Sequence, residues 1–477
     1  AQQAARRGWR VLLVEQRDFA WGTSSRSSKL VHGGLRYLKE GDIKTTLHSV
    51  RERQRLMTEA PELVQPQAFL FADCAGRKPG RWLMQTGLMV YDLMAGQRSH
   101  SYASLARTRE LEPGLNPPGL RGALIFSDAK TDDARLVQRV LMEAQRDGAL
   151  CLNDVTATEL VLTDGQVGGV ALQDGVLGGR FVVKARSVVN ATGAWADRLR
   201  AHLGARPLLR PLRGSHLLVS HARLPVTHSI SMMHRQDGRP VFLYPWEGCT
   251  LIGTTDLDHR DDPDTEPCIT SPEVDYLLDA VNDQFPQVRL GRGDVISTYA
   301  GVRPVVDDGP GDASQATRDH VVKDERGLIT LTGGKLTTFR LMAQDALALA
   351  APRVGKPFTR DPSPVLAPAT VSAAWPSRCG SAWPAATAPV PRPGRPMPRR
   401  TNSNSLPART RCGSSCASRL GTKPWCTWTT SCCAAPAWAC CCPAGGSPIW
   451  IASARSPNRP CSGAMPAGRR SWAVTGN

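Results

Sequence analysis

The chain has 477 residues, a formal net charge of +17 and 14 cysteines. This length allows two or three domains with a large core. The charge suggests nucleic acid or an acidic membrane surface as partner, but its distribution argues against nucleic acid. Residues 362–477 contain 12 Arg, one Lys and no acid, and they supply +13, which leaves +4 for residues 1–361.

Cysteine usage separates the same two parts of the chain. Ten of the 14 cysteines lie beyond residue 378, and the other four are widely spaced. Wide spacing predicts a reducing compartment rather than a disulfide framework. Pairs such as Cys432-Cys433 lack the spacing of a zinc site, so we predict no metal. The sequence has no run of about 18 apolar residues, so we predict no membrane-spanning helix.

The first eight residues lack an apolar signal region and are typical of the last turns of a helix that Gly8 ends. The segment from Val11 to Glu15 then predicts a buried parallel strand with a carboxylate at its carboxyl end. In a dinucleotide-binding unit such a carboxylate lies about 20 residues after a Gly-rich phosphate turn. Because fewer than 20 residues precede Glu15, we expect the first strand and the GxGxxG turn to be absent and the chain to be truncated.

Residues 23–37 are rich in hydroxyls, cations and glycines. A carboxylate before them can hold ribose hydroxyls, and hydroxyl and lysine side chains can hold phosphate oxygens. The pair Gly33-Gly34 allows the backbone to approach a flat ring closely. A strand followed by a polar surface loop is the alternative interpretation.

Two helices and a strand are predicted next. Residues 42–60 predict a scaffold helix. Residues 81–96 predict an apolar helix whose Met stripe we interpret as core, with peripheral membrane contact left open. A strand at 122–126 leads into a helix with Thr131 as its N-cap. The acids Asp132 and Asp133 suit the helix dipole, and the alternative is that they line a substrate chamber.

The second half of the body predicts mainly strands. Asp164-Gly165 predicts a hairpin between 158–162 and 167–171. Residues 187–196 predict a buried strand that runs into a small-residue turn. Further strands are predicted at 214–219, 241–245, 250–254 and 298–301. Residues 327–339 predict a strand, a double glycine and a Thr-capped helix that continues to about residue 350, with its positive end suited to an anion.

The segment Thr23-Ser-Ser-Arg-Ser-Ser-Lys-Leu-Val-His-Gly-Gly-Leu-Arg-Tyr-Leu38 resembles the FAD-dependent glycerol-3-phosphate dehydrogenases, and the resemblance continues to about residue 360. It implies an α/β fold with a Rossmann-like FAD-binding domain of the D-amino-acid-oxidase type, interleaved with an antiparallel-sheet substrate domain. The implied FAD-binding parts are 1–60, 121–207 and 311–360. The cap or substrate part is 61–120, the substrate domain is 208–310, and 366–477 is a tail without a recognisable fold.

The same resemblance implies the site residues. His216 is implied as the base, with Arg303 and Lys335 as further catalytic cations. The substrate-binding residues are Arg36, Tyr37, Arg303 and Lys335. The FAD-binding residues are Glu15, Ser24, Ser25, Ser28, Lys29, Leu30, Val155, Ala191, Thr192, Gly193, Gly334, Leu336 and Thr337.

The implied reaction is oxidation of glycerol 3-phosphate to dihydroxyacetone phosphate, with hydride transfer to FAD and electrons passed to quinone. A cytoplasmic location follows, with contact at the inner face of the cytoplasmic membrane and a homodimer both left open. Alternatives are a glycerol-3-phosphate or amino-acid oxidase of the same fold that uses oxygen, and a non-catalytic product. Because the phosphate turn is expected to be absent, we expect the chain as written to be impaired.

The tail differs in composition from everything before it. It contains seven of the twelve Trp, ten of the fourteen Cys and no acid. A basic disordered tail would use Lys, Gly and Ser, and a metal or disulfide module would show regular spacing. The composition favours out-of-frame translation of a GC-rich gene, which translation of the DNA in the other two frames would test.

Overall fold

A computed structural model describes residues 1–35, 41–307, 309 and 319–367, together with the backbone of 449–454. Within these residues the α-helices, in chain order, are α1 (Gln2–Arg6), α2 (Ile43–Glu59), α3 (Arg81–Ala95), α4 (Leu105–Leu111), α5 (Asp133–Arg146), α6 (Ala196–Ala201), α7 (Ser271–Gln284) and α8 (Phe339–Val354).

The strands of the described residues are β1 (Trp9–Val14), β2 (Leu30–Val31), β3 (Val64–Cys74), β4 (Ser101–Ser104), β5 (Leu120–Thr131), β6 (Leu150–Leu152), β7 (Val155–Thr163), β8 (Gln166–Asp174), β9 (Arg180–Lys184), β10 (Ser187–Asn190), β11 (Leu209–Ser220), β12 (Ser229–Met233), β13 (Pro240–Trp246), β14 (Cys249–Gly253), β15 (Leu257–Asp258), β16 (Val295–Val306), β17 (His320–Glu325), β18 (Leu328–Gly333) and β19 (Ile449–Ala454).

The first sheet has six strands in the order β17-β18-β10-β19-β1-β6. β1 pairs parallel with β6, and β10 pairs parallel with β18. β19 lies between β1 and β10 and is antiparallel to both. Parallel pairing brings the carboxyl ends of these strands to one edge of the sheet, and that edge is where an open α/β sheet binds its ligand.

The second sheet is larger, and its strands come from parts of the chain that lie between the strands of the first sheet in sequence. Its order is β15-β11-β14-β13-β12-β3-β5-β2, with β16 paired to β11 and β4 paired to β5. Most of its pairs are antiparallel, and β3 with β12 is a parallel pair. A third sheet consists of β7, β8 and β9. The chain therefore passes repeatedly between a mainly parallel and a mainly antiparallel sheet, while the predicted domain boundaries stay a prediction.

Local signals in the sequence explain where several elements begin and end. Asp164 and Gly165 have φ of 50° and 72°, which two-residue hairpin turns require, so the predicted hairpin is confirmed. The N-cap of α2 is Asp42, whose carboxylate accepts a hydrogen bond from the Thr45 backbone N–H at 3.0 Å.

Of two predicted caps, that at Thr131 is wrong and that of the helix after residue 333 is confirmed in position only. Thr131 ends β5, and the N-cap of α5 is Asp132, which accepts a hydrogen bond from the Arg135 backbone N–H at 3.0 Å. The carboxylate takes this position because β5 runs five residues beyond its predicted end. Thr338 stands at the N-cap of α8, but its side chain makes no capping hydrogen bond. A 3₁₀ turn at Leu336–Thr338 precedes the helix instead.

Helix α3 has a buried apolar face and also an exposed apolar face. Leu88 and Tyr91 are buried on its inner face, whereas the outer face exposes Trp82, Leu83, Met89, Val90 and Leu93. The interpretation of this helix as core is therefore wrong for its outer face. Among the described residues, no helix combines the length and apolar character that crossing a membrane requires.

Ordered packing continues to Val365 and Leu366, which are buried in a cluster with Val31, Leu56 and Leu136. Beyond this point the predicted tail lies outside the described residues, apart from residue 367 and the strand β19.

Candidate active site

Glu15 follows the last residue of β1 at the carboxyl edge of the first sheet and is only 2% exposed. Its carboxylate accepts hydrogen bonds from the backbone N–H groups of Gln16 and Arg17, the latter at 3.1 Å. Burial raises the pKa of Glu15 to about 8. A buried carboxylate accepts up to about four hydrogen bonds, so the site can take further donors such as ribose hydroxyls. The backbone N–H of Val155 donates to the Glu15 carbonyl at 2.9 Å, which places Val155 beside it.

The loop from Ser27 to Lys29 is held by groups from three distant elements. The Asp133 carboxylate accepts hydrogen bonds from Ser27 Oγ at 2.7 Å and from Lys29 Nζ at 2.6 Å. The Tyr299 hydroxyl donates to the Ser27 carbonyl at 2.9 Å, and the Tyr244 hydroxyl donates to the Ser28 carbonyl at 2.6 Å. Asp133 therefore does more than favour a helix dipole, because it joins the start of α5 to this loop.

The other predicted loop residues lie close by. Ser24 and Ser25 form part of a 3₁₀ turn, with Ser24 exposed and Ser25 Oγ within 3.3 Å of the Trp21 carbonyl. Leu30 begins β2 and is buried. Lys29 is engaged by Asp133, so its charge is already balanced within the protein.

His216 lies on β11 and meets the loop directly. Its Nε2 lies 2.9 Å from Ser28 Oγ, and its ring stacks on Tyr299 with a centroid distance of 4.5 Å and an interplanar angle of 11°. The side chain is 1% exposed. Burial, with the nearby cations Arg303 and Lys29, lowers the pKa of His216 well below its usual range. The imidazole is therefore neutral at physiological pH and able to accept a proton.

Arg303 lies on the same face of the second sheet as His216. In the register of β11 and β16, His216 opposes Tyr299 and Leu212 opposes Arg303, and residues at i and i+4 along a strand share a face. The guanidinium donates to Asp256 Oδ1 at 2.7 Å and to Thr254 Oγ1 at 3.0 Å. Asp256 is buried and also pairs with Arg239 at 2.9 Å. Asp256 therefore holds two arginine side chains, and one of them, Arg303, has the forked donor geometry that suits an anion.

Two glycines make room for these side chains. A Cβ at Gly214 would lie 2.3 Å from Arg303 Nη2, and a Cβ at Gly253 would lie 2.1 Å from His216 Cδ2. Real Cβ atoms essentially never approach other atoms so closely, so a side chain at Gly253 would clash with the His216 ring, and one at Gly214 would force the end of the Arg303 side chain to move. The arginine crosses β11 at Gly214 to reach the loop after β14, and the imidazole lies over Gly253.

The turn after β18 contains four of the predicted site residues, Gly334, Lys335, Leu336 and Thr337. Gly334 has φ of 68°, and a Cβ there would meet Met342 Sδ at 2.7 Å. Lys335 Nζ donates to Ser49 Oγ at 2.8 Å, and Thr337 Oγ1 donates to the His32 carbonyl at 3.2 Å. Leu336 begins the 3₁₀ turn before α8. The turn therefore joins the region of His32 to the start of α8.

The turn after β10 contains Ala191, Thr192 and Gly193. Thr192 Oγ1 donates to Asn190 Oδ1 at 2.7 Å, and Gly193 has φ of 58°. Ala191 lines an apolar cavity of about 210 Å³ between β10, β18, α1 and α8. This volume is below the roughly 300 Å³ at which ligand pockets begin, so the cavity can take only part of a cofactor.

The space beside Gly33 has a different use from the predicted close approach to a flat ring. A Cβ at Gly33 would lie 2.1 Å from the Tyr91 hydroxyl, so this space is filled by protein. The Gly33 backbone N–H donates to Asp128 Oδ1 at 3.1 Å, and Asp128 also pairs with Arg53 at 2.9 Å. Arg36 and Tyr37, predicted to bind substrate, lie outside the described residues.

Sequence reasoning missed Asp256, Tyr244 and Tyr299, and it gave Asp133 only a weak role. The available signal for Asp256 was its position three residues after a predicted strand glycine, in Gly253-Thr-Thr-Asp256. For the two tyrosines no local signal existed, because their partners lie more than 200 residues away. The fit to FAD is best at Glu15, where a buried carboxylate has acceptor capacity to spare.

Comparison with known proteins identifies relatives of this chain. The profile of the FAD-dependent oxidoreductase family matches residues 1–344. An aerobic glycerol-3-phosphate dehydrogenase from Staphylococcus haemolyticus is 36% identical over 365 residues, which are 75% of this chain and 65% of that protein. The chain thus spans 65% of the length of the curated relative it matches.

Solved structures agree on the fold. The X-ray structure of the glycerol-3-phosphate dehydrogenase from Bacillus halodurans complexed with FAD gives a TM-score of 0.62 at 31% identity, over 76% of this chain and 63% of that chain. The FAD-bound L-α-glycerophosphate oxidase from Mycoplasma pneumoniae gives 0.57 at 19% identity, over 76% of this chain and 94% of that chain, and indicates the fold alone. The predicted fold class is confirmed.

Proposed function

Because the chain belongs to the FAD-dependent oxidoreductase family, we propose that its activity is oxidation of glycerol 3-phosphate to dihydroxyacetone phosphate, with electrons passed to quinone. The observation that carries this proposal is the meeting of His216, Arg303 and the loop at Ser28 on one face of the second sheet. The 36% identity to an aerobic glycerol-3-phosphate dehydrogenase supports the choice of substrate.

In the proposed reaction each residue has a separate task. Arg303 and Lys335 bind the phosphate dianion, since forked and ammonium cations match phosphate oxygens. His216 accepts the proton of the secondary hydroxyl, which requires a neutral imidazole. Glu15 holds the adenosine ribose, and FAD, when bound, supplies the two-electron acceptor. A bound dianion offsets the charge of Arg303 and so favours the imidazolium form of His216 as the proton arrives.

The test is anaerobic flavin absorbance of the purified chain with FAD. The proposal expects a yellow protein that bleaches with glycerol 3-phosphate. Flavin that binds but stays oxidised with this substrate would contradict the proposal. Oxygen consumption in place of quinone reduction would favour the oxidase alternative.

Replacing His216 with Gln is expected to slow flavin reduction by about 100-fold or more, in line with the 10² to 10⁴ that general bases contribute. The KM for glycerol 3-phosphate should stay within about threefold, since the phosphate-binding cations remain. Stopped-flow absorbance measures the rate. An unchanged rate would remove His216 from the reaction, and an unchanged far-ultraviolet circular dichroism spectrum controls for folding.

We further propose that the outer face of α3 contacts an anionic membrane, at the inner face of the cytoplasmic membrane where quinone is reached. Trp82 is 73% exposed and Leu93 82% exposed, and Lys78, Arg81 and Arg98 flank the helix. Apolar side chains with cations around them are the composition of helices that lie in a membrane interface. A homodimer and the absence of nucleic acid stay predictions.

The double variant Leu83→Asp/Leu93→Asp is expected to lower the affinity for phosphatidylglycerol vesicles at least about tenfold, because a buried Leu contributes about 1.5–3 kcal/mol. Vesicle co-sedimentation measures it. The matched control is Leu177→Asp, which alters an equally exposed side chain (84%) in the turn between β8 and β9. An equal loss in both variants, or no binding by the unchanged chain, would contradict the assignment to α3.

A further inference from the structure

His216 is closed off from solvent. Its Nδ1 is buried without a hydrogen-bond partner among the described residues, and the side chain as a whole is 1% exposed. The ring of Tyr299 covers one face, and the backbone at Gly253 lies against its Cδ2 edge. Within the described part of the chain, Ser28 Oγ is the group that contacts Nε2. The Ser28 hydroxyl is therefore positioned to exchange a proton with the imidazole.

Hydrogen bonds hold the carbonyl of Ser28 and both of its neighbours in the chain. Its carbonyl accepts a hydrogen bond from the Tyr244 hydroxyl at 2.6 Å. The preceding residue is held by Asp133 and Tyr299, and Lys29 is held by Asp133 with φ of 53°. Ser28 is half-buried, in contrast to His216. Its hydroxyl therefore lies at a defined distance from Nε2 and belongs to the more accessible residue of the pair.

We propose that Ser28 is a proton relay between the substrate hydroxyl and His216, an inference that rests on the proposed function. The substrate O–H bond breaks and its proton forms a new O–H bond with Ser28 Oγ. The original Ser28 proton moves to His216 Nε2, which becomes imidazolium. FAD, when bound, would supply the two-electron acceptor for the carbinol hydrogen and its electron pair, and the substrate would become a ketone. The sequence resemblance had assigned Ser28 to cofactor binding instead.

The kinetic test compares Ser28→Ala with Ser28→Thr, which keeps a hydroxyl. The alanine variant is expected to reduce flavin about 10- to 100-fold more slowly, within the range of acid–base effects, with KM within about twofold, and the threonine variant to stay within about fivefold of the unchanged chain. The double variant Ser28→Ala/His216→Gln should be no slower than His216→Gln alone, because residues that act as a unit are not additive. The control Ser297→Ala removes an exposed hydroxyl of β16 and should change nothing.

An unchanged rate in Ser28→Ala, an equal loss in Ser28→Thr, or fully additive losses in the double variant would each overturn the relay. A readout that needs no substrate separates this result from failure of the proposed function. With ¹⁵N-labelled histidine, the His216 signals are identified by their loss in His216→Gln, and Ser28→Ala is expected to shift the Nε2 signal. If glycerol 3-phosphate fails to reduce the flavin, the proposed function fails, and unchanged His216 signals in Ser28→Ala would overturn the Ser28 contact as well.

Discussion

At pH 9, Glu15→Gln is expected to raise the free energy of unfolding by about 5 kcal/mol relative to the unchanged chain, at about 1.4 kcal/mol per unit of pKa difference. The folded carboxyl has a pKa of about 8, against an ordinary value of 4.5. Above pH 8 the folded chain therefore holds a buried, charged carboxylate, whereas Gln is neutral at every pH. Urea unfolding followed by circular dichroism measures the difference.

The sign of the pH dependence follows from proton binding. Between pH 4.5 and 8 the folded state holds a proton on Glu15 that the unfolded state has lost, so the stability of the unchanged chain falls as pH rises through this window. The advantage of the Gln variant should shrink to below about 1 kcal/mol at pH 5. The control Glu159→Gln changes an exposed carboxylate and should have no effect at either pH. Equal stabilities of Glu15→Gln and the unchanged chain at pH 9 would contradict the burial of this charge.

The same carboxylate predicts how FAD affinity depends on pH. Ribose hydroxyls donate to the ionised form, so binding FAD favours loss of the Glu15 proton, and affinity should rise between pH 6 and pH 8. The Gln variant should bind FAD more weakly and without this rise. Flavin fluorescence quenching measures both. An affinity that is independent of pH in the unchanged chain would remove Glu15 from the cofactor site.

Asp256→Ala is expected to lower the free energy of unfolding by about 3 kcal/mol, the lower end of the range for breaking a buried ion pair. The carboxylate is 2% exposed and is shared by Arg303 and Arg239. Its removal leaves two partly buried cations with one anion fewer. Under the proposed function the KM for glycerol 3-phosphate should also rise, because Arg303 loses the contact that holds its orientation.

Two further variants show whether the loss of stability depends on the shared, buried carboxylate of Asp256. Asp256→Asn keeps the shape and the acceptor oxygen, and its loss of stability should be smaller than that of the alanine variant. Asp258→Ala removes a partly exposed carboxylate that pairs with Arg210, and it should cost at most about 1 kcal/mol. Urea midpoints of the three variants give the comparison. If Asp256→Ala were as stable as Asp258→Ala, the shared carboxylate would not organise the arginines.

Some features of the site follow from local sequence. Glu15 is at a strand end because a short β-branched run predicts a strand and the carboxylate ends it. The hairpin at Asp164-Gly165 follows from the backbone conformations that these two residues tolerate. Elements of this kind depend on residues within one turn or one strand, and periodicity suffices to predict them.

Other features depend on pairing between distant segments. Ser28 meets His216 across 188 positions, and Lys29 meets Asp133 across 104. The path of Arg303 over Gly214 exists only because β11 and β16 pair in one register. A one-residue shift of that register would turn the arginine to the other face of the sheet, so no local pattern could predict the contact.

The sequence by itself determined the type and order of most elements, the buried carboxylate at the end of β1 and the family resemblance of residues 23–38, because these depend on neighbouring residues. Only the tertiary structure decided which groups share a site and which faces stay exposed. Gly33 faces Tyr91 rather than an open space, and α3 exposes the apolar face that its sequence suggested was core. Burial depends on what packs against a residue, and that partner comes from elsewhere in the chain.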